Sequence, residues 1–328
     1  MKRVGKCAVL GLAVAAMVSV PRLAEAPATA APAVAAPHAE AFCATGGDVH
    51  AHDEHGRARV RYGARTAEPG SRVSAGVAEQ VERELDRQEI TGRLLRSTDD
   101  AKWIHIPVHF HVLHNGKKGK VTKKAVLEQI KVLDTAYRGK KGGSSARINF
   151  YLKKITWTRN ADWFGKPQQY ETDFKKKLRK GGDSTLNVYT ANLGSELLGW
   201  ATMPWDYKKE PANDGVIVHY DSLPGGKIKH YSLGYTAVHE VGHWLGLYHT
   251  FGRAYPDEDG CSAGDRVGDT PAQKEPTNGC PKKAPDTCPA WGRDSIHNFM
   301  DYGYDKCMTE FTKGQVERMR TAWSRYRL

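Results

Sequence analysis

Apolar and polar residues alternate along WIHIPVHFHVLH, from Trp103 to His114, and this period of two predicts a β-strand. The next segment, VTKKAVLEQIKVLDTAYRG, carries its apolar residues at helical spacing instead, so a helix should cover one face of a sheet. INFYLKKITW, TLNVYTANL and GVIVHY supply further strands, each a short run rich in β-branched and aromatic side chains. Between the last two, LLGWATMPWD reads as a short edge strand with a proline-containing exit. Helical spacing predicts a helix starting between Ser232 and Thr236, and a last one from Lys313 to Arg325. Strands and helices in this order give an α+β class, and no internal repeat is visible.

Upstream of Trp103 the pattern weakens. Residues Ala31 to Arg72 are rich in Ala, Pro, Gly and charge without a sustained period, and read as a weakly ordered segment in which His50, His52 and His55 are solvated. From Val73 to Gln88, Val77, Val81 and Leu85 recur every four residues among Glu and Arg, which predicts an amphipathic helix able to pack on the body of the protein. The N-terminus reads MKRVGK, then an apolar run from Cys7 to Val20, then an Ala/Pro-rich stretch with small-x-small sites. That order is a secretory signal peptide, and its apolar core is too short to span a bilayer. Cleavage after Ala30 or after Ala41 fits the pattern equally. The expected division is 1–30 signal peptide, 31–96 propeptide with Arg93 and Arg96 as candidate activation sites, and 97–328 main domain.

The chain of 328 residues carries a net charge of +12, with Lys-rich stretches such as GKKGKVTKK and FKKKLRKGG. No aromatic interleaving or nucleic-acid motif accompanies them, so they read as a solvated basic surface rather than a nucleic-acid interface. The expected product is a secreted monomer with no membrane insertion. Cys7 leaves with the signal and Cys43 lies just beyond it, whereas Cys261, Cys280, Cys288 and Cys307 form a C-terminal set suited to an oxidising destination. Four cysteines allow more than one connectivity.

The chemistry is concentrated in HEVGHWLGLYH, from His239 to His249. Helical residues four apart are separated by about 40° around the axis, so His239 and His243 project toward a common ion. Glu240 stands beside that ion, where its carboxylate can take a proton from a metal-bound water. Gly246 lets the backbone leave the helix through a left-handed conformation and return with His249. Three histidines leave a fourth coordination position open, as a hydrolytic zinc site requires. A chance match to the whole pattern is expected in about one chain of this size in 10⁵. With the ligands complete, His105, His109 and His111, which the strand pattern puts on one face, read as structural or surface residues. These residues support hydrolysis of internal peptide bonds in protein or peptide substrates; a catalytically silent zinc-dependent binding module and a metallohydrolase restricted to small or cell-wall peptides are the alternatives.

HEVGHWLGLYHTF, followed by NFMDYGYDKCMTEFTKGQ, resembles the metzincin clan and, within it, the pappalysin family. The resemblance runs from about Trp103 to the C-terminus. It implies a zincin fold: a twisted mixed sheet with two long helices above the cleft, and a loop-rich lower part ending in a C-terminal helix. It also implies that Met300 occupies a Met-turn beneath the histidines and that Tyr302 stabilises the oxyanion. The edge strand would bind an extended substrate through main-chain hydrogen bonds. The resemblance further implies disulfides Cys261 with Cys288 and Cys280 with Cys307, and calcium on the loop CSAGDRVGDTPA, where Asp265, Asp269 and Thr270 offer hard oxygen ligands. Asp305 would favour Arg or Lys after the scissile bond. FCATGG resembles the family's cysteine-switch segment, with Cys43 covering the zinc in the precursor, although the flanking basic residue is missing and Ala44 replaces a glycine.

Overall fold

A computed structural model describes residues 56–61, 75–94, 102–251, 261, 264–288 and 292–328, all within one contact unit, His50–Leu328. The sheet is built around β2 (Ile104–His114), flanked by β3 (Ile148–Arg159) and β4 (Leu186–Ala191), both parallel to it. Beyond β4 lies parallel β6 (Val216–His219), and then β5 (Leu197–Thr202), which turns antiparallel. A sixth strand, β1 (Gly56–Val60), pairs antiparallel with the outer side of β5, giving the order β1-β5-β6-β4-β2-β3.

The expected alternation in β2 sorts its side chains onto two faces, one covered along the strand and the other only toward its C-terminal end, since His105 is exposed and Pro107 and His109 are half-buried. Ile106, Val108, Phe110 and Val112 point into the main core, where α2 (Lys123–Tyr137) contributes Val126, Ile130 and Leu133. Thr122 caps α2 by accepting from the Ala125 amide at 3.2 Å, which satisfies a donor the first turn would otherwise leave unpaired. On the other face, Leu113 packs with Tyr189, Trp200 and Ile217 under Phe164 and Phe174. Those two phenylalanines sit on α3 (Ala161–Gly165) and α4 (Glu171–Leu178), short helices that the sequence pattern did not reveal. A helix of one or two turns has too few apolar positions to show a period. The Lys-rich segment of α4 is partly structural: the Lys175 ammonium is buried against the Glu171 carboxylate and the Asn213 carbonyl. His111 is buried too, bonded to Thr156 Oγ1 at 2.8 Å and Asn187 Oδ1 at 3.0 Å, and burial holds its pKa at about 4. It is therefore a neutral structural group at pH 7.

The helix predicted near Ser232 to Thr236 is α5 (Tyr235–Trp244), with all ten residues buried. Two bonds fasten it to α2: Tyr137 Oη donates to the Val238 carbonyl at 2.9 Å, and Gln129 Nε2 to the Gly234 carbonyl at 2.9 Å. The chain then passes through loops to α6 (Lys313–Tyr326), which opens with a reciprocal capping box between Thr312 and Gln315. Cys261 pairs with Cys288 and Cys280 with Cys307, with Cα separations of 5.4 and 5.8 Å, fastening this loop-rich region to itself. After α6, Arg327 returns to α5: it bonds Asp214 Oδ1 at 2.9 Å and lies 3.9 Å over the Trp244 ring.

The amphipathic helix upstream is α1 (Ala75–Leu94), longer than the stretch to Gln88 and carrying Arg93 inside it. Its Val81 and Leu85 pack on Ala322 and Tyr326 of α6. Beside them Arg318 bonds Glu82 through both terminal nitrogens, at 2.8 and 2.7 Å, while its Nε donates to the Gly246 carbonyl at 2.8 Å. The strand β1 corrects the reading of Ala31 to Arg72 as weakly ordered, at least over Gly56–Val60. An exposed edge strand offers a row of unpaired N–H and C=O groups, so a segment can become a strand there through its backbone, without a hydrophobic pattern. Among the described residues, no helix is long and apolar enough to cross a membrane. Glu82→Ala would leave the Arg318 guanidinium, 9% exposed, without its carboxylate. We expect a loss of about 2 kcal/mol and a thermal midpoint lower by about 5 °C; an unchanged midpoint in a melting experiment would remove the pair from the stabilising contacts.

Candidate active site

One turn of α5 separates His239 from His243, and the turn after the helix brings His249 to the same point. Gly246 makes that turn at φ 98°, a conformation a side chain would strain, and a Cβ there would also meet Ala322 at 2.8 Å. The three Nε2 atoms form a nearly equilateral triangle, 3.1 Å from His239 to His243, 3.0 Å from His243 to His249 and 3.1 Å from His249 to His239. Two of the other ring nitrogens are committed: His239 Nδ1 faces the Phe299 carbonyl at 2.7 Å and His243 Nδ1 the Leu247 carbonyl at 2.8 Å. A carbonyl accepts only, so each Nδ1 carries the proton and each Nε2 turns a lone pair inward. Burial, reinforced by neighbouring His243 and Arg59, holds the His239 imidazole well below its ordinary pKa. Two such lone pairs meet the His249 Nε2 in a buried place, an arrangement that a cation between them would stabilise, so the residues fit a tetrahedral metal such as zinc. Among the described residues, this is the only set of three or more His, Cys, Asp or Glu donors able to meet on one ion.

Met300 lies directly beneath the helix, fully buried, with its Sδ where a side chain on Gly242 would stand. Its amide donates to Asn298 Oδ1 at 2.9 Å, and its carbonyl accepts from Thr250 at 3.3 Å. Tyr302 is buried beside the triangle, its ring centroid 5.7 Å from that of His239, 4.9 Å from His249 and 4.6 Å from Phe251. Glu240 is fully buried against β5. Gly199, in the middle of β5, faces it so closely that a Cβ would meet Glu240 Cγ at 2.8 Å and the Ile217 carbonyl at 2.8 Å. Glycine inside a strand pattern signals such an approach, and that signal in LLGWAT was missed.

Asp305 is fully buried and bonded on both carboxylate oxygens. One carboxylate oxygen accepts from the Leu233 amide at 2.9 Å, and the other meets the Arg59 guanidinium of β1 at 3.2 Å. Arg59 also donates to the Gly303 carbonyl at 2.9 Å and lies 5.3 Å from the Tyr231 ring centre, with neither partner of the ion pair exposed. Burial raises the pKa of Asp305 while the Arg59 charge pulls it back. Arg59 was not singled out in the sequence; the alternation of arginines in GRARVR was its only signal. The Arg59 amide also donates to Glu240 Oε1, at 3.3 Å.

The loop carboxylates lie away from this centre. Asp265 accepts from the Val267 amide and from Gln315 Nε2, both at 3.0 Å, and Asp269 accepts from the Gly314 amide at 2.9 Å, at the start of α6. Thr270 Oγ1 is 3.4 Å from Thr312 Oγ1. Burial pushes the Asp265 carboxyl up to about 7. Cys43, His50, His52, His55 and Arg96 lie outside the described residues.

Residues 186–324 match the family described as pregnancy-associated plasma protein-A. An extracellular metalloprotease of Arthroderma benhamiae is 39% identical over 235 residues, covering 70% of this chain and 76% of that protein. One of Neurospora crassa is 40% identical over 232 residues, covering 68% and 76%. Among solved structures, mature mirolysin of Tannerella forsythia in complex with a cleaved peptide aligns with a TM-score of 0.60 at 31% identity, covering 69% of this chain and 96% of that one. A promirolysin mutant aligns with a TM-score of 0.63 at 30% identity, covering 75% and 88%. The fold, the buried histidine triangle and these relatives together place the chain in the pappalysin family of metzincins, as a secreted zinc metallopeptidase.

Proposed function

We propose that this protein is an endopeptidase that cuts internal peptide bonds ahead of a basic residue, with Glu240 handling the proton. The observation that carries this reading is that one residue touches two buried carboxylates, Arg59 meeting Glu240 through its amide and Asp305 through its guanidinium. Zinc held by His239, His243 and His249 would supply an acidified water and a counter-charge for the carbonyl oxygen. Glu240 accepts the water's proton as attack begins and passes it to the amine that leaves. Tyr302, beside His239 and His249, donates its hydroxyl to the developing oxyanion. The outer side of β5 takes the substrate backbone as an added strand, so main-chain bonds give affinity while the pockets select side chains. Asp305 makes the pocket after the scissile bond selective for Arg or Lys, a preference supported by the buried guanidinium already seated there. All these groups come from one chain, so the reading includes an active monomer.

Calcium on Asp265, Asp269 and Thr270 belongs to the same reading, as oxygen ligands on one short loop. Without a cation, Asp265 is raised from about 4 to about 7. A raised carboxyl favours the folded state while protonated, so its contribution is full below pH about 4 and is lost as pH rises through about 7. Calcium bound to the ionised group should therefore raise the thermal midpoint more at pH 8 than at pH 6. Equal midpoints with calcium and with a calcium chelator at both values would discard the site.

The central experiment incubates the zinc-loaded enzyme with a denatured protein and reads the cleavage sites by mass spectrometry. Cuts should fall ahead of Arg and Lys, vanish in Glu240→Gln while zinc remains bound, drop about a hundredfold or more in Tyr302→Phe and lose the basic preference in Asp305→Ala. A Glu240→Gln enzyme with undiminished turnover would sink the general-base assignment. Gly199→Ala forces a methyl against Glu240 and the Ile217 carbonyl, so we expect kcat to fall at least tenfold with the fold intact by circular dichroism; an unchanged kcat would mean that β5 and Glu240 do not need this close approach.

A further inference from the structure

One peptide plane in the turn that delivers His249 is held at both of its edges. Gly246 and Leu247 close α5 in a Schellman pattern, the Gly246 amide donating to the His243 carbonyl at 2.8 Å and the Leu247 amide to the Gly242 carbonyl at 3.0 Å. The Gly246 carbonyl shares a plane with the Leu247 amide and points the opposite way, where it accepts from Arg318 Nε at 2.8 Å. Glycine at φ 98° resists rotation less than any other residue, so the tilt of this plane is set by its two partners. Both neighbouring ligands depend on that tilt. The next carbonyl, of Leu247, is the one that faces His243 Nδ1 at 2.8 Å, and His249 follows two residues later.

Arg318 is itself held from outside the site. Its two terminal nitrogens bond Glu82 of α1 at 2.8 and 2.7 Å, its guanidinium lies 4.6 Å from the centre of the Tyr248 ring, and the residue is 9% exposed. A guanidinium is planar, so a carboxylate gripping both terminal nitrogens also fixes the direction in which Nε points. Through this one side chain α1 reaches the turn. A neighbouring anchor does not: Glu84 takes Arg325 at 3.2 Å and the Tyr326 hydroxyl at 3.0 Å, bonds that end on α6.

We propose that Arg318 is a positioning residue for the metal centre, and that the docking of α1 through Glu82 sets how tightly His243 and His249 hold their ion. The proposal concerns cation binding alone and stands whichever bonds the enzyme cuts. Groups that orient a ligating imidazole are worth about 10- to 100-fold in metal affinity. Arg318 acts one peptide further out, beside the Leu247 carbonyl, so its effect belongs at the lower end of that range. Coupling of this kind is reciprocal, and zinc in turn tightens α1 against α6.

The test uses the full-length chain in a Glu240→Gln background, so that no variant digests itself, and measures the zinc dissociation constant by competition with a chromogenic chelator, well below the melting midpoint. Glu82→Ala and Arg318→Lys should each weaken zinc binding about tenfold. The visible absorption of the cobalt-loaded protein, which reports ligand geometry, should shift with them. Glu82→Gln keeps an acceptor for one guanidinium nitrogen and should recover part of the loss. Glu84→Ala is the control: it removes the neighbouring anchor, so it should lower the midpoint and leave both the zinc constant and the cobalt spectrum unchanged. Hydrogen exchange in α1 should slow when zinc is added, and less so in Glu82→Ala. A zinc constant for Glu82→Ala within about twofold of the parent would overturn the proposal. An equal loss of affinity in Glu84→Ala would do the same, since α1 would then act only as a brace, and so would exchange in α1 that zinc leaves unmoved. Should Arg318→Lys fail to fold, the comparison of Glu82→Ala with Glu84→Ala decides.

Discussion

Three imidazole Nε2 atoms are held about 3 Å apart in a buried place, and the rest of the molecule is arranged to keep them there. Without a cation that convergence is repulsive, so it must be imposed by groups on every side of α5. Two backbone carbonyls, of Phe299 and Leu247, fix the tautomers of His239 and His243. Tyr137 and Gln129 hold the helix to α2, while Gly242 leaves room for Met300 underneath. The Met-turn is thus a packing device: its sulfur fills a gap shaped by a missing side chain, and its backbone carries the carbonyl of Phe299 to a ligand.

The second organising interaction is the ion pair between Arg59 and Asp305. A carboxylate removed from water is costly unless paired and hydrogen-bonded, and Asp305 is both, with the Leu233 amide on one oxygen and the guanidinium on the other. Asp305 and its two partners come from three distant parts of the chain, so the pair ties β1 to the segments before and after α5. Arg327 acts similarly at the far end of α5, where it joins the end of the chain to Asp214 and Trp244. Arg318 links α1, α6 and the turn at Gly246 in the same way. In each case an arginine with several donors holds together elements that a purely apolar contact would leave free to slide.

Much of this protein was legible in its residues. The alternation in Trp103–His114, the helical spacing after it and the later strand runs report burial on one face at a time, and they are the elements whose existence depends on side-chain pattern. His239, Glu240, His243, Gly246 and His249 were legible for a related reason: their geometry is local, set by one helical turn and one left-handed residue. Tertiary structure alone decided what depends on backbone bonding or on contacts far apart in sequence. Helices α3 and α4 are too short to show a period. Strand β1 forms because β5 offers unpaired backbone groups, which no side-chain pattern reports. The ion pair between Arg59 and Asp305 spans 246 positions, and the approach of Gly199 to Glu240 depends on how the sheet lies against α5. A sequence specifies chemistry within a turn of helix, whereas the direction in which another segment of the same chain meets that chemistry is set by which edge of the sheet is left open.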